Sequence, residues 1–399
     1  MNPALALAAL VWHGSIDIAV GPGERGPWRQ NESRYRYVDD PAVAMDERGE
    51  MALAWVDQGR KDVLFRRADA KGQLLGEMLN VSRSPGTFSW LPRLALHEKN
   101  VYALWQEIIF SGGSHGGEIL FARSEDAGKT FSPPLNLSNS VAGDGKGRIS
   151  KDVWHNGSLD IALGTKGAIY VAWTEYEGAL WVRRSRDEGR TFSDRLRVAE
   201  KKPARAPALA VGRDAIYLAW TVGDDRTADI RVAKSTDGAA TFATPVVVAP
   251  SKSYSDAPKI AVDGGGRLHL VYAENDRILY ARSPDGTAFE RPRDISGAGA
   301  GFPSLGVDGA GNVYVLWERY PDRETPRGLS LALSTNGGDS FDASEVPRSA
   351  NAGRNGSLQG LTDKLAVSRE GAIAVVNSSF QEGRRSRVWL TRGQLTPKK

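Results

Sequence analysis

Cysteine is absent from the 399 residues, which excludes disulfides, thiolate metal sites and thiol nucleophiles. Histidine occurs only five times, with no two at ligand spacing, so no metal is expected. No apolar run is long enough to cross a bilayer as a helix. No run of lysine and arginine is interleaved with aromatics, and the net charge of +4 is small for this length, so nucleic acid is not an expected partner. The glycine-rich stretches follow neither the dinucleotide nor the P-loop pattern, and no cofactor is expected. Charged residues at 25% and hydrophobic ones at 41% are ordinary for a folded globular chain, which excludes wholesale disorder.

What is present is repetition. Four stretches share one pattern: Ser124-Glu-Asp126-Ala-Gly128-Lys-Thr130-Phe131, Ser185-Arg-Asp187-Glu-Gly189-Arg-Thr191-Phe192, Ser235-Thr-Asp237-Gly-Ala-Ala-Thr241-Phe242 and Ser334-Thr-Asn336-Gly-Gly338-Asp-Ser340-Phe341. A shortened copy begins at Ser283 and ends at Phe289. The Ser and Asp side chains bond turn backbone, the glycine takes the left-handed conformation, and the aromatic tucks beneath. Each copy sits in a longer unit. The unit opens with Pro-x-apolar-Ala-apolar, as at Pro41, Pro92, Pro207, Pro258 and, with Gly for Ala, Pro303; the segments from Leu159 and Asp363 fill the same role without proline. A second apolar strand ends in an aromatic at Trp55, Trp105, Trp173, Trp220, Tyr272 and Trp317, with Asn377 in the last unit. A third strand, the turn and a short fourth strand complete it.

Four antiparallel strands repeated radially make a β-propeller. The expectation is an all-β chain with seven four-stranded blades; six blades with a decorated end segment is the alternative. The last unit lacks a fourth strand, and Ser15–Val20 has no unit of its own. Pairing the two closes the ring and hides both edges. The apolar segment from Ala4 to Trp12 reads as a signal-peptide stub without its basic region, or as an edge segment. The layout is therefore residues 1–13 as that segment and 14–399 as one propeller, with an extracytoplasmic location expected and a cytoplasmic one left open.

The Ser-x-Asp-x-Gly-x-Thr-Phe pattern resembles the Asp-box, or bacterial neuraminidase repeat, of the sialidase-like propellers, and the resemblance covers nearly the whole chain. It implies the fold, with the boxes as structural turns remote from any active site. Sialidases hold the substrate carboxylate with three arginines, one in a Phe/Tyr-Arg-Ile-Pro motif opening the first blade. Here that stretch reads Tyr37-Val-Asp39-Asp40-Pro41, so Asp39 stands where the arginine belongs and reverses the electrostatics. The segment Trp55-Val-Asp57-Gln58-Gly59-Arg60 is similar to the family's Ala-Glu-Gly-Arg stretch and keeps one arginine, Arg60. A competent sialidase is accordingly not expected.

Insertions after Ser111, from Asn139 to Gly157 and from Ser349 to Gly360 are expected on the face opposite the repeated turns. Acids recur there after the second strand: Asp57, Glu107, Glu175, Glu274 and Glu318. Of these Asp57, Glu107 and Glu175 are the candidate catalytic carboxylates, should hydrolysis occur. Asp39, Asp40, Arg60, Trp90, Arg93, His115, His155, Tyr176, Arg205, Asp256, Lys259, Glu274 and Glu318 are candidate ligand contacts on that rim. Acids, bases and aromatics around a propeller mouth suit a carbohydrate or glycoconjugate. A glycoside hydrolase and a protein-interaction scaffold are the alternatives.

Overall fold

A computed structural model describes residues 9–29, 31–84, 86–108, 117–140, 147–148, 154–155, 159–175, 178–198, 203–224, 227–322, 327–349 and 363–396. They form a seven-bladed β-propeller. Blade 1 is Val38–Met45, Met51–Asp57, Asp62–Ala68 and Leu74–Asn80; blade 2 is Ser89–His97, Asn100–Glu107, Glu118–Ser124 and Leu135–Asn136. Blade 3 is Leu159–Leu163, Ile169–Thr174, Leu180–Ser185 and Leu196–Arg197; blade 4 is Ala204–Val211, Ile216–Asp224, Thr227–Ser235 and Val246–Val247. Blade 5 is Ser255–Val262, Leu268–Glu274, Arg277–Ser283 and Arg293–Asp294; blade 6 is Ala300–Val307, Val313–Arg319, Leu329–Ser334 and Asp342–Glu345.

Blade 7 holds Leu365–Val367, Ala372–Ser379 and the long strand Ser386–Thr396. Its outer position is filled from the other end of the chain. Ile16 pairs with Leu390 and Gly21 with Ser386, and further along the same strand Ala9 pairs with Thr396 and Trp12 with Gly393. The ring is closed by hydrogen bonds, and the outer edge of Ser386–Thr396 is covered.

The second strands carry the core. Trp55, Trp105, Trp173, Trp220, Tyr272 and Trp317 are all buried between neighbouring blades, as is Asn377. The repeated turns act between blades as well as within them. In blade 2 the Ser124 hydroxyl accepts from Gly128 N at 2.8 Å, and Asp126 Oδ1 accepts from Lys129 N and Thr130 N at 3.0 and 2.9 Å. The turn aromatic then meets the preceding blade edge-on: Phe131 on Phe65, Phe192 on Phe121 and Phe341 on Tyr280, with centroids 4.9, 5.1 and 4.8 Å apart. Each turn is a staple from one blade to the one before it.

One local feature departs from the sequence expectation. The opening prolines do not begin their strands; pairing starts three residues earlier, and each proline sits at a bulge. The residue before it is left-handed although it is not glycine: Asp40, Leu91, Ala206, Ala257 and Phe302 have φ between 46° and 56°. A bulge leaves its extra residue out of the ladder, so proline's missing N–H costs nothing there. Every such bulge shifts the register between the first and second strands of its blade.

Candidate functional site

The bulge residues and second-strand ends meet in small buried polar clusters. In blade 1 the Gln58 amide donates to Asp39 Oδ1 at 2.8 Å, and the Trp90 indole donates to Gln58 Oε1 at 3.0 Å. Asp39, Asp40, Gln58 and Trp90 are all buried. Asp57 caps its own turn, accepting from Gly59 N and Arg60 N at 3.0 and 3.1 Å, while Arg60 lies exposed with its Nε 3.5 Å from that carboxylate.

Glu107 is 2% exposed. Ser84, Ser89 and the Trp105 indole donate to its Oε2 at 2.9, 2.6 and 3.1 Å, and the Thr87 hydroxyl bonds Oε1. Burial outweighs these donors and pushes its carboxyl up from 4.5 to about 6. The folded state therefore holds this proton more tightly than the unfolded chain. The stability it contributes is complete below about pH 4.5 and is lost as pH rises toward 6. Glu107→Gln should flatten that decline by roughly 2 kcal/mol, at about 1.4 kcal/mol per pH unit. Denaturant unfolding of the variant and the parent across pH 4 to 7, with Asp160 contributing the remaining slope, checks this; parallel curves would remove Glu107 as its source.

At the blade 4–5 boundary Arg205 is fully buried, its Nε 3.2 Å from Asp256 Oδ1 and its guanidinium 4.7 Å over the Tyr254 ring. Thr221 and Tyr254 hydroxyls complete the Asp256 carboxylate at 3.0 Å each. Nearer the axis, residues from four blades converge. Lys259 Nζ is 2.6 Å and Arg93 Nε 3.4 Å from the Asp363 carboxylate. Asp160 lies in the same electrostatic group and accepts from Leu209 N at 2.7 Å. Burial and the Asp363 charge push Asp160 up to about 6; burial would also raise Asp363, but Lys259 and Arg93 hold it below its usual range. Glu318 forms a buried ion pair with Lys364 and accepts from the Tyr320 hydroxyl at 2.7 Å.

The remaining acids are held by neutral donors. The Trp181 indole donates to Glu175 at 2.8 Å and the Ser255 hydroxyl to Glu274 at 2.6 Å. Glu107, Glu175 and Glu274 thus each bond within their own blade or to the segment entering it. His115 and Tyr176 lie outside the described residues. His155 is placed in a short hairpin, Trp154–His155 against Gly147–Arg148. Among the described residues no group of three or more His, Asp or Glu is placed to hold a metal ion.

One constellation carries no repeat signature. The hairpin Glu24–Arg25 against Tyr35–Arg36 lies over the loop-rich ends of blades 1 and 2, and its tip is fixed there. Asn31 donates to Ile108 O at 3.0 Å and accepts from Phe88 N at 3.1 Å, and the Lys61 ammonium bonds its carbonyl. Trp28 sits on this hairpin, 42% exposed, on a bed of Trp90, Phe88 and Tyr35 with centroids 5.5, 6.0 and 6.2 Å away. Only Trp90 of this group is conspicuous in the sequence, through its place before Pro92.

No protein-family model matches the chain, and no curated protein matches it. Solved structures do. A polysaccharide lyase of family PL25, an ulvan lyase bound to -[GlcA(1-4)Rha3S]-, superposes with a TM-score of 0.61 at 14% identity, covering 94% of this chain and 95% of that one. YCF48 bound to D1 peptide gives 0.54 at 13% identity, over 96% and 95% of the two chains. The Hadza microbial sialidase Hz136 gives 0.50 at 14% identity, over 84% and 73%. At these identities the likeness is one of fold alone, that of the β-propeller.

Proposed function

We propose that the chain binds a carbohydrate or glycoconjugate on its loop-rich face and is not a competent sialidase. The observation that carries this reading is the Trp28 platform. An exposed indole braced by three rings beneath it is a rigid apolar plate that needs no ordering on binding, suited to the apolar face of a pyranose. The exposed Arg60 is a candidate contact for a sugar's polar edge. A carbohydrate ligand is in keeping with the lyase and the sialidase among the solved neighbours. It is also in keeping with an extracytoplasmic setting.

Electrostatics disfavour sialidase chemistry. Asp39 occupies the place of a carboxylate-binding arginine and is buried with Gln58 as partner. Asp57, Asp256, Asp363 and Glu318 each face a cation of the protein itself. A hydrolase on another glycoside is the alternative: burial holds the Glu107 and Asp160 carboxyls above the usual carboxylate range, toward that of a general acid. A peptide-binding scaffold is favoured by the YCF48 likeness.

A glycan-array screen run beside fluorogenic glycosides, a sialoside included, separates these readings. Binding to one glycan class without turnover is expected. Trp28→Ala should weaken that binding about tenfold, near 1.4 kcal/mol, with an unchanged unfolding midpoint. Turnover of the sialoside would refute the reading. Glycan binding indifferent to Trp28→Ala would place the site away from the platform.

A further inference from the structure

Blades 2, 3, 4 and 6 carry a tyrosine three residues before the second-strand aromatic: Tyr102, Tyr170, Tyr217 and Tyr314. Blade 5 has His269 in that place. Its side chain is fully buried, with Nδ1 2.7 Å from the Tyr280 hydroxyl and Nε2 3.3 Å from Asp263 Oδ2. The carboxylate beside Nε2 selects the tautomer with its proton there, so Nδ1 accepts from Tyr280. Tyr280 in turn meets the repeated turn of blade 6. Its ring lies edge-on to Phe341, and a Cβ added at Gly338 would overlap its hydroxyl. His269 thus stands one hydrogen bond behind the staple that joins blade 6 to blade 5.

Protonation breaks this arrangement. Both ring nitrogens then donate, and the Tyr280 hydroxyl hydrogen loses its acceptor in a junction already filled up to Gly338. The surroundings favour the neutral ring. Asp263 faces it, but Asp263 Oδ1 is occupied by Gly265 N and Arg267 N at 2.8 and 2.9 Å. Arg267 of the first turn and Arg282 of the third strand oppose a new positive charge. Arg282 is itself held by Glu290 and Asp339 at 2.9 and 2.7 Å, and the Arg293 guanidinium lies 5.6 Å from the Tyr280 ring centre. Burial, with the two arginines, keeps the imidazole below its usual 6.5 against the pull of Asp263. The stability it contributes is whole above about pH 6.5 and is lost as pH falls, opposite in sign to Glu107.

We propose that His269 is an acid-sensitive switch in the joint between blades 5 and 6: once protonated, it loosens the contact of Tyr280 with Phe341 and lets the blade 6 turn open locally while the ring stays closed. The position that is Asp126 in blade 2 is Asn336 here, so the side chain that caps this turn does not itself titrate.

Hydrogen exchange of the full chain, read at residues 334–341 and corrected for the intrinsic pH dependence of exchange, tests this. Between pH 7.5 and 5.0 opening should rise about tenfold, while the blade 2 turn at residues 124–131 stays unchanged. His269→Gln leaves Arg282 and Asp339 in place, removes only the titrating ring, and should abolish the rise. An unchanged blade 6 turn, an equal rise in both turns, or the same rise in His269→Gln overturns the proposal. Should His269→Gln not fold, the double variant His269→Tyr/Tyr280→Phe takes its place with the same expected loss, since it copies Tyr102 stacked on Phe121 in blade 2.

Discussion

Lys364→Met should lower the unfolding free energy by about 3–5 kcal/mol. The Lys364 ammonium and the Glu318 carboxylate are both almost wholly buried and bonded to each other, tying the second strand of blade 6 to the segment that opens blade 7. Removing the cation takes the Lys364 charge away from an enclosed carboxylate to which the Tyr320 hydroxyl also donates. The loss belongs to the unpaired ion rather than to the pair, because an apolar replacement of both partners can be neutral or better. The double variant Glu318→Leu/Lys364→Met should accordingly recover most of the stability. Urea unfolding of the two singles and the double measures this coupling. Additive losses would mean that the pair is not the connection between these blades.

Phe131→Ala should cost a comparable amount, about 3–5 kcal/mol. Phe131 is buried and meets Phe65 of the preceding blade edge-on, so its removal empties a space between two rigid sheets. Gly128→Ala attacks the same staple differently, since φ there is 76° and the new Cβ would press on the Phe65 ring. Ligand affinity on the opposite face should be unchanged in whatever fraction stays folded. Thermal unfolding together with glycan titration checks both halves. A small stability loss with impaired binding would make the turns functional.

The architecture was legible because its signals are local and each has a mechanism. Ser124, Asp126 and Gly128 prescribe a turn wherever they stand, and six second strands ending in a large buried aromatic, with a seventh ending in Asn377, prescribe seven like sheets. The bulge was not legible, because a left-handed Leu91 or Phe302 directly before proline defies local preference and is imposed by the ring. The rim acids were legible as positions but not as environments. Glu318 and Glu107 look alike in sequence, yet one meets Lys364, 46 residues away, and the other a set of hydroxyls and an indole. Trp28 was missed because its hairpin occurs once and has no copy against which to stand out.

The seam of the toroid imposes an order on biogenesis. Ala9–Gly21 leave the ribosome before any blade, yet their partner Ser386–Thr396 follows all six preceding blades. Throughout synthesis these leading strands are bare, and six finished sheets stand as an open arc with an unmatched flank at each side. Contacts spanning nearly the full sequence assemble late. A nascent chain delayed before Ser386–Thr396 emerges is therefore open to an intruding strand from a neighbour, and the risk ends when that strand zips onto Ala9–Gly21.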